Sequence, residues 1–242
     1  MELDMTDRSA KEHFNGIAGS YYDEIPGHIR EYLTNRWWNT VKCHFTGGSK
    51  VIDIGCGNGS TVAFLIKKEI NAIGVDFSKE LINTGRGMYP FLKNRLFEGN
   101  ALDLGYGDGT FDVASMIGML HHIHSPQDQI RAVREALRVV KDNGVLIIRE
   151  SNPANPLFRI FWNYIFPLTS KIDRFGGERW IPASHFMKTF KDNFDSVFYF
   201  TFIPNFTPRA LTPIASKVER VLEKSPLKRL SAHYVVVLRK RK

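Results

Sequence analysis

Two carboxylates, a run of glycines and a pair of histidines carry the first chemical reading of this 242-residue chain. Val51-Ile52-Asp53-Ile54 is an apolar run holding an acid at its end, and it passes directly into Gly55-Cys56-Gly57-Asn58-Gly59. A buried strand that ends in such a turn brings main chain close to a ligand, because glycine permits both the tight turn and the approach. A helix opening near Ser60 adds unpaired N–H groups to that place. The spacing argues against a dinucleotide, whose fingerprint puts its third glycine three residues after the second; here that position is Ser60, and Gly59 comes one residue early. A second apolar run, Ile73-Gly74-Val75-Asp76-Phe77-Ser78, ends in a carboxylate about 20 residues on, the length of one strand-helix-strand step. Ionised, Asp76 can accept from both hydroxyls of a ribose. Ser78 can at the same time cap the next helix. Farther along, the adjacent imidazoles of His121 and His122 titrate near neutrality and can remove a proton from an enol, phenol or alcohol. At that spacing one of the two faces inward, and support of the loop alone would also account for them. Tyr21, Glu150 and His185 stand behind them as acid–base groups.

Two more segments follow in strand order. Arg95-Leu96-Phe97-Glu98 leads into Gly99-Asn100-Ala101, and Thr110 to Ile117 leads into Gly118-Met119-Leu120-His121-His122-Ile123. Taken with the glycine turn and Asp76, these resemble the motifs of the class I S-adenosylmethionine-dependent methyltransferases, in particular the branch of ubiquinone and menaquinone biosynthesis and natural-product methyltransferases. The resemblance implies S-adenosyl-L-methionine as cofactor and S-adenosyl-L-homocysteine as product. It implies that Asp53, Gly55, Cys56 and Gly57 lie under the cofactor, with Asp76 and Phe77 at the ribose. Asn100 and Ala101 stand where the family reads adenine, and Asn100 replaces the usual aspartate, so its amide oxygen would accept from the adenine amino group. Ile117 and His122 complete the set. Phe14 to Asp23 is similar to the leading helix that folds over the cofactor in this branch, and Tyr22 matches the tyrosine that reaches the methionine carboxylate. Tyr21 and Tyr22 would equally serve as packing residues of a lid. Methyl transfer from a sulfonium needs no metal, and its main requirement is near-attack geometry.

The elements that must position these groups alternate. Gln127 to Val140 sets Ile130, Val133, Leu137 and Val140 on one helical stripe, Lys141-Asp142-Asn143-Gly144 ends it, and Val145 to Glu150 reads as a fifth buried strand. Alternating strands and helices predict an open, parallel α/β sheet with helices on both faces and its ligands at the carboxyl ends of the strands. The resemblance makes this a Rossmann-like, seven-stranded, mostly parallel sheet whose last strand, Ala232 to Leu238, runs antiparallel between strands five and six. One methyltransferase domain is expected over 1–242: a helical lid at 1–45, a cofactor core at 46–150, a cap insertion at 151–190, and C-terminal strands at 191–242 with a helical insertion at 204–229.

Acceptor choice falls to the segments outside the core. Asn155 to Leu168 is apolar almost all round, with Arg159 and Asn163 on one narrow face, which suits a cap over a hydrophobic pocket or an interfacial helix. Pro208 onward predicts a helix with Leu211, Ile214, Val218, Val221 and Leu222 as its apolar stripe and Lys217, Arg220 and Lys224 as its cations. Such a stripe packs on the sheet or cap, or lies on anionic membrane. The acceptor expected is small and hydrophobic or lipid-like, methylated on oxygen or carbon; a soluble natural product or amine is the alternative. An NAD(P)-dependent oxidoreductase is disfavoured by the Gly59 spacing, and a non-catalytic scaffold by motifs at all four strand ends.

Composition narrows the remaining classes. The net charge of +8 fits a solvated basic surface, nucleic acid or anionic membrane. Nucleic acid is excluded on motif grounds, since Ile117-Gly118-Met119-Leu120 stands where base-modifying amino methyltransferases carry Asn/Asp-Pro-Pro-aromatic, and no Pro-Cys nucleophile is present. The two cysteines, Cys43 and Cys56, make no disulfide framework. The acidic start and the lack of a long apolar run predict a cytoplasmic protein, with peripheral membrane contact left open and no oligomeric state assigned.

Overall fold

In the strand β1 (Lys50–Ile54), every residue from Val51 to Ile54 is buried, the pattern of a strand covered on both faces. The computed structural model describes residues 2–20, 25–160, 164, 178–203 and 207–242. After α1 (Glu2–Ile17) and α2 (Gly27–Val41), β1 is followed by α3 (Ser60–Lys67), β2 (Asn71–Asp76), α4 (Lys79–Met88), β3 (Leu96–Glu98), β4 (Phe111–Ile117) and α5 (Pro126–Val139). Then come β5 (Val140–Ser151), α6 (Pro156–Ile160), α7 (Ala183–Thr189), β6 (Phe194–Phe200), α8 (Thr212–Glu223) and β7 (His233–Arg239). The described residues form one seven-stranded sheet in the order β3-β2-β1-β4-β5-β7-β6. β1 pairs in parallel with β2 and β4, β4 with β5, and β7 lies antiparallel between β5 and β6, as expected. The order reverses between β1 and β4, where open α/β sheets bind their ligands.

Period-two alternation sends each strand into two cores. Ile52, Ile54, Leu146, Ile148, Tyr234 and Val236 face one side with Val133, Leu137 and Phe186. Val51, Val145, Ile147, Val235 and Val237 face the other with Trp37, Val62, Leu65 and Ile82. Residues 181–190, expected in the cap, belong to the first of these cores: Ile181, Ala183, Phe186 and Phe190 are buried there, and the Tyr234 hydroxyl donates to the Ile181 carbonyl.

One boundary differs from the sequence reading. Val140 to Gly144, read as a helix end and a break, is sheet: Val140 pairs with Phe111, the register shifts, and Val145 pairs with Val113. The shift is a bulge that seats Asn143 at φ 64°, a conformation Asn tolerates better than most side chains. The apolar stripe of α8 does not take the first of its two expected placements, packing on the sheet or cap. Its Ser216 and Glu219 are buried, while Leu211, Ile214, Val218 and Val221 are exposed. The apolar helix at 155–168 is described only over Pro156–Ile160 and at Tyr164; the rest lies outside the described residues.

α4 presses its backbone onto the glycine turn. A Cβ on Gly85 would stand 2.3 Å from the carbonyl oxygen of Asn58. Gly85→Ala is therefore expected to destabilise the protein by about 1–3 kcal/mol in urea unfolding, overriding the ~1 kcal/mol that alanine gains as a helix former. An unchanged or raised midpoint would show that α4 can move off the turn at no cost.

Candidate cofactor and transfer site

The turn after β1 is held by strand β2. Gly55 and Cys56 donate their N–H groups to the Val75 carbonyl at 2.8 and 3.1 Å, and Gly55 takes φ 69°, where an added Cβ would meet Met119 at 2.6 Å. The Gly57 N–H reaches Asp76 Oδ2 at 2.8 Å, and the Ser78 N–H reaches Oδ1 at 2.9 Å. Ser78 Oγ accepts from Leu81 N and caps α4, so the capping serine and the cavity carboxylate coexist. Burial pushes the Asp76 carboxyl up from the usual range, and the two N–H groups pull it back down.

These groups open onto a cavity of about 700 Å³, within the usual range for small-molecule sites. Of the residues expected at the cofactor, Gly55, Gly57, Asp76, Phe77, Asn100, Ala101, Ile117 and His122 line it. Asp53 and Cys56 do not line it. Asp53 is buried behind the turn, accepting from Ser115 Oγ at 2.6 Å, and burial together with the charge of Asp76 pushes its carboxyl up to about 7 against that hydroxyl's opposing pull. Cys56 turns its thiol into the sheet, where a Cβ on Gly74 would stand 2.7 Å from Sγ. Asn100 Oδ1 accepts from the Leu102 N–H at 2.9 Å, so the oxygen expected to read adenine already serves its own turn. Tyr21 and Tyr22 lie outside the described residues.

Helix α1 roofs the cavity with Ala10, Lys11 and Phe14. Lys11 Nζ lies 2.6 Å from Glu98 Oε1, Asn15 Oδ1 accepts from Ser78 Oγ at 2.7 Å, and the Phe14 ring meets Phe77 and His122 edge-on at 5.8 and 4.9 Å. Lys11 and Glu98 were not expected from the sequence. Their chemistry is that of any surface ion pair, and only the seating of α1 over β3 brings them together.

The two histidines divide. His122 lines the cavity, its Nδ1 buried without a hydrogen-bond partner, and burial with the charges of His121, His13 and His124 holds its pKa well below 6.5, so it is neutral at neutral pH. His121 packs against it, ring centroids 4.0 Å apart with 44° between planes, and does not itself line the cavity. Its Nδ1 lies 2.7 Å from Glu150 Oε2, while Glu150 Oε1 accepts from the Leu120 N–H at 2.9 Å. Trp180 stacks on the His121 ring at 4.1 Å with 19° between planes, and Phe158 meets Trp180 edge-on at 5.0 Å. Gln129, buried on α5, holds this loop: its Nε2 is 2.9 Å from both the Leu120 and Ile123 carbonyls and 3.0 Å from that of Arg179. His185 sits on α7 beside Thr189 Oγ1 at 3.4 Å and does not line the cavity. The fit to S-adenosylmethionine rests on this construction: a turn with no room for a Cβ at Gly55, a buried carboxylate on the cavity wall, and an unpartnered imidazole nitrogen beside it.

Comparison with known proteins agrees. The family described as a methyltransferase domain matches residues 52–148. A demethylmenaquinone methyltransferase of Lysinibacillus sphaericus is 28% identical over 172 residues, covering 66% of this chain and 72% of that protein. One from Staphylococcus haemolyticus is 27% identical over 215 residues, covering 80% and 87%. A SAM-dependent methyltransferase from Archaeoglobus fulgidus shares the fold, with TM-score 0.63 and 18% identity over 87% of this chain and 94% of that one.

Two outcomes check the site. Asp76→Ala should weaken S-adenosylmethionine binding at least about tenfold by calorimetry, given about 1.5–3 kcal/mol for hydrogen bonds to a charged group; unchanged affinity would remove Asp76 from the cofactor. Asp53 ionises at its ordinary 3.8 when unfolded and about 7 when folded, so the native state holds the extra proton and stability falls as pH rises through that window. Asp53→Asn should therefore gain melting temperature over the parent between pH 5 and pH 8. Parallel curves for the two proteins would refute the buried-acid assignment.

Proposed function

We propose that this chain, a class I S-adenosylmethionine-dependent methyltransferase, methylates an apolar, quinol- or phenol-type acceptor on oxygen or ring carbon, with His121 as the base. The proposal for the acceptor draws on relatives named as demethylmenaquinone methyltransferases and on the aromatic surroundings of the histidine loop. The observation that carries it is the contact chain from Glu150 through His121 to Trp180 and Phe158. A carboxylate on Nδ1 fixes the tautomer, leaves Nε2 as the accepting nitrogen, and stabilises the imidazolium that forms when Nε2 takes a proton. Indole and phenyl rings on one side of that imidazole suit a flat, apolar acceptor rather than a charged one.

When bound, S-adenosylmethionine supplies an electrophilic methyl on a sulfonium. Gly55, Gly57, Asp76, Phe77, Asn100, Ala101 and Ile117 would hold it against the strand ends. His122, neutral and on the wall, orients a polar group through Nδ1 without adding a cation to a site that already receives one. Phe14 and Met119 exclude water. His121 would take the acceptor's hydroxyl proton at Nε2. Glu150 carries no proton in this scheme; it orients.

Glu150→Gln keeps an oxygen for the Leu120 N–H and removes the charge from His121. With methyl-labelled cofactor and a short-chain demethylmenaquinol, kcat should fall by about 10²-fold or more and its pH dependence should shift, while cofactor affinity is retained. A loss of thermal stability with an unchanged pH–rate profile would make the pair structural. Label transfer to soluble aromatic amines, with none to the quinol, would overturn the acceptor.

A further inference from the structure

Helix α8 is built inside out. Glu219, 1% exposed, accepts from the Tyr32 hydroxyl and, at 3.1 Å, from the Phe202 N–H. Glu223 pairs with Arg36 and accepts from the Thr201 N–H at 3.0 Å. Those bonds fix the rotation of the helix about its axis, because turning it would strand two carboxylates and a half-buried hydroxyl. The consequence is on the other side. Leu211, Ile214, Val218 and Val221 stand 52, 64, 54 and 69% exposed, and the 3-10 turn Pro226–Leu230 extends the row with Leu227 and Leu230 at 51 and 39%. A soluble helix normally hides such a stripe, and a contiguous exposed one marks an interaction surface.

The charges around it have one sign. Arg209, Lys217, Arg220, Lys224, Lys228 and Arg229 are all exposed. The two acids of residues 207–232, Glu219 and Glu223, are both engaged on the inward side. Helical spacing places Lys217, Arg220 and Lys224 on the flank next to the apolar row. On that flank a cleft of about 560 Å³, between α2, β6 and the end of α8, is lined by Lys224, Lys228 and Arg229 with Tyr199.

We infer that the outward face of α8 and the following turn is a docking surface for an anionic lipid bilayer, with the leucine, isoleucine and valine side chains entering the acyl boundary and the lysines and arginines at the headgroups. Charge complementarity selects this occupant. A second copy meeting the same face would set cations against cations, whereas anionic headgroups neutralise them and the apolar row leaves water. The surface also joins the site: Asn152, directly after β5, donates from Nδ2 to the carbonyls of Arg229 and Ser231 at 2.9 Å, two residues from Glu150. Exposed Ile160 and Tyr164 follow the same strand end. Its use in catalysis rests on the apolar acceptor proposed above, which a membrane would supply; the docking itself does not.

The full chain should float with vesicles of equimolar phosphatidylglycerol and phosphatidylcholine and stay behind with vesicles of phosphatidylcholine alone. The double variant V218E/V221E and the double variant K217E/R220E should each weaken flotation at least about tenfold, salt should weaken the parent, and calorimetric cofactor binding should be unchanged in both. Equal partition onto the two vesicle types, or partition that ignores both variants, overturns the inference. So does a dimer in sedimentation velocity that V218E/V221E dissolves, which would assign the face to a second copy. Flotation as expected with no methylation of detergent-dispersed quinol would sink the acceptor and leave the docking surface standing.

Discussion

A single buried carboxylate ties the working parts of this molecule together. Asp76 receives the amide of Gly57 through one oxygen and that of Ser78 through the other, so the turn after β1 and the turn after β2 are fixed to each other at the carboxyl ends of the strands. Ser78 then caps α4 and binds Asn15, which seats α1. A carboxylate left in such a place without donors would cost several kcal/mol, so the geometry of both loops is enforced by the need to satisfy it. The cavity is what lies between elements constrained in that way.

Donor and acceptor sides are built by different means. On the donor side the groups are backbone turns at strand ends, set by a sheet whose two faces are both buried, and they have little freedom. On the acceptor side the groups are side chains held by other side chains: Glu150 on His121, His121 on Trp180, Gln129 across three carbonyls. Such a network can be altered one residue at a time without disturbing the sheet, and on the function proposed above it is where acceptor specificity would reside.

That division also decided what could be read from the chain alone. The glycine turn after β1, Asp76 beside it and the strand order were legible because a strand ending in glycine has few structural alternatives, whereas Asp53 and Cys56, expected at the cofactor, do not line the cavity. The different settings of His121 and His122 were not, because the partner that holds His121 is Glu150, 29 residues beyond it, and adjacent residues in a loop carry no periodicity to show which lines the cavity. The bulge at Lys141 to Gly144 reads as a helix stop, since Asn-Gly serves both ends. For α8 the sequence left the buried face undecided. Its amphipathic pattern was correctly seen, but the inward face is chosen by Tyr32 and Arg36, whose partnership with Glu219 and Glu223 spans 187 residues and leaves no local trace. Lys11 and Glu98 were hidden for the same reason.

The roof over the cavity has a kinetic side. Lys11 and Glu98 are 41 and 43% exposed at their side chains, so water and salt screen their attraction and the pair holds α1 only weakly. Phe14 is the heavier latch, buried between Phe77 and His122. Moving α1 off the cavity would take that ring out of its packing, a loss of apolar burial that the exposed ion pair does not carry.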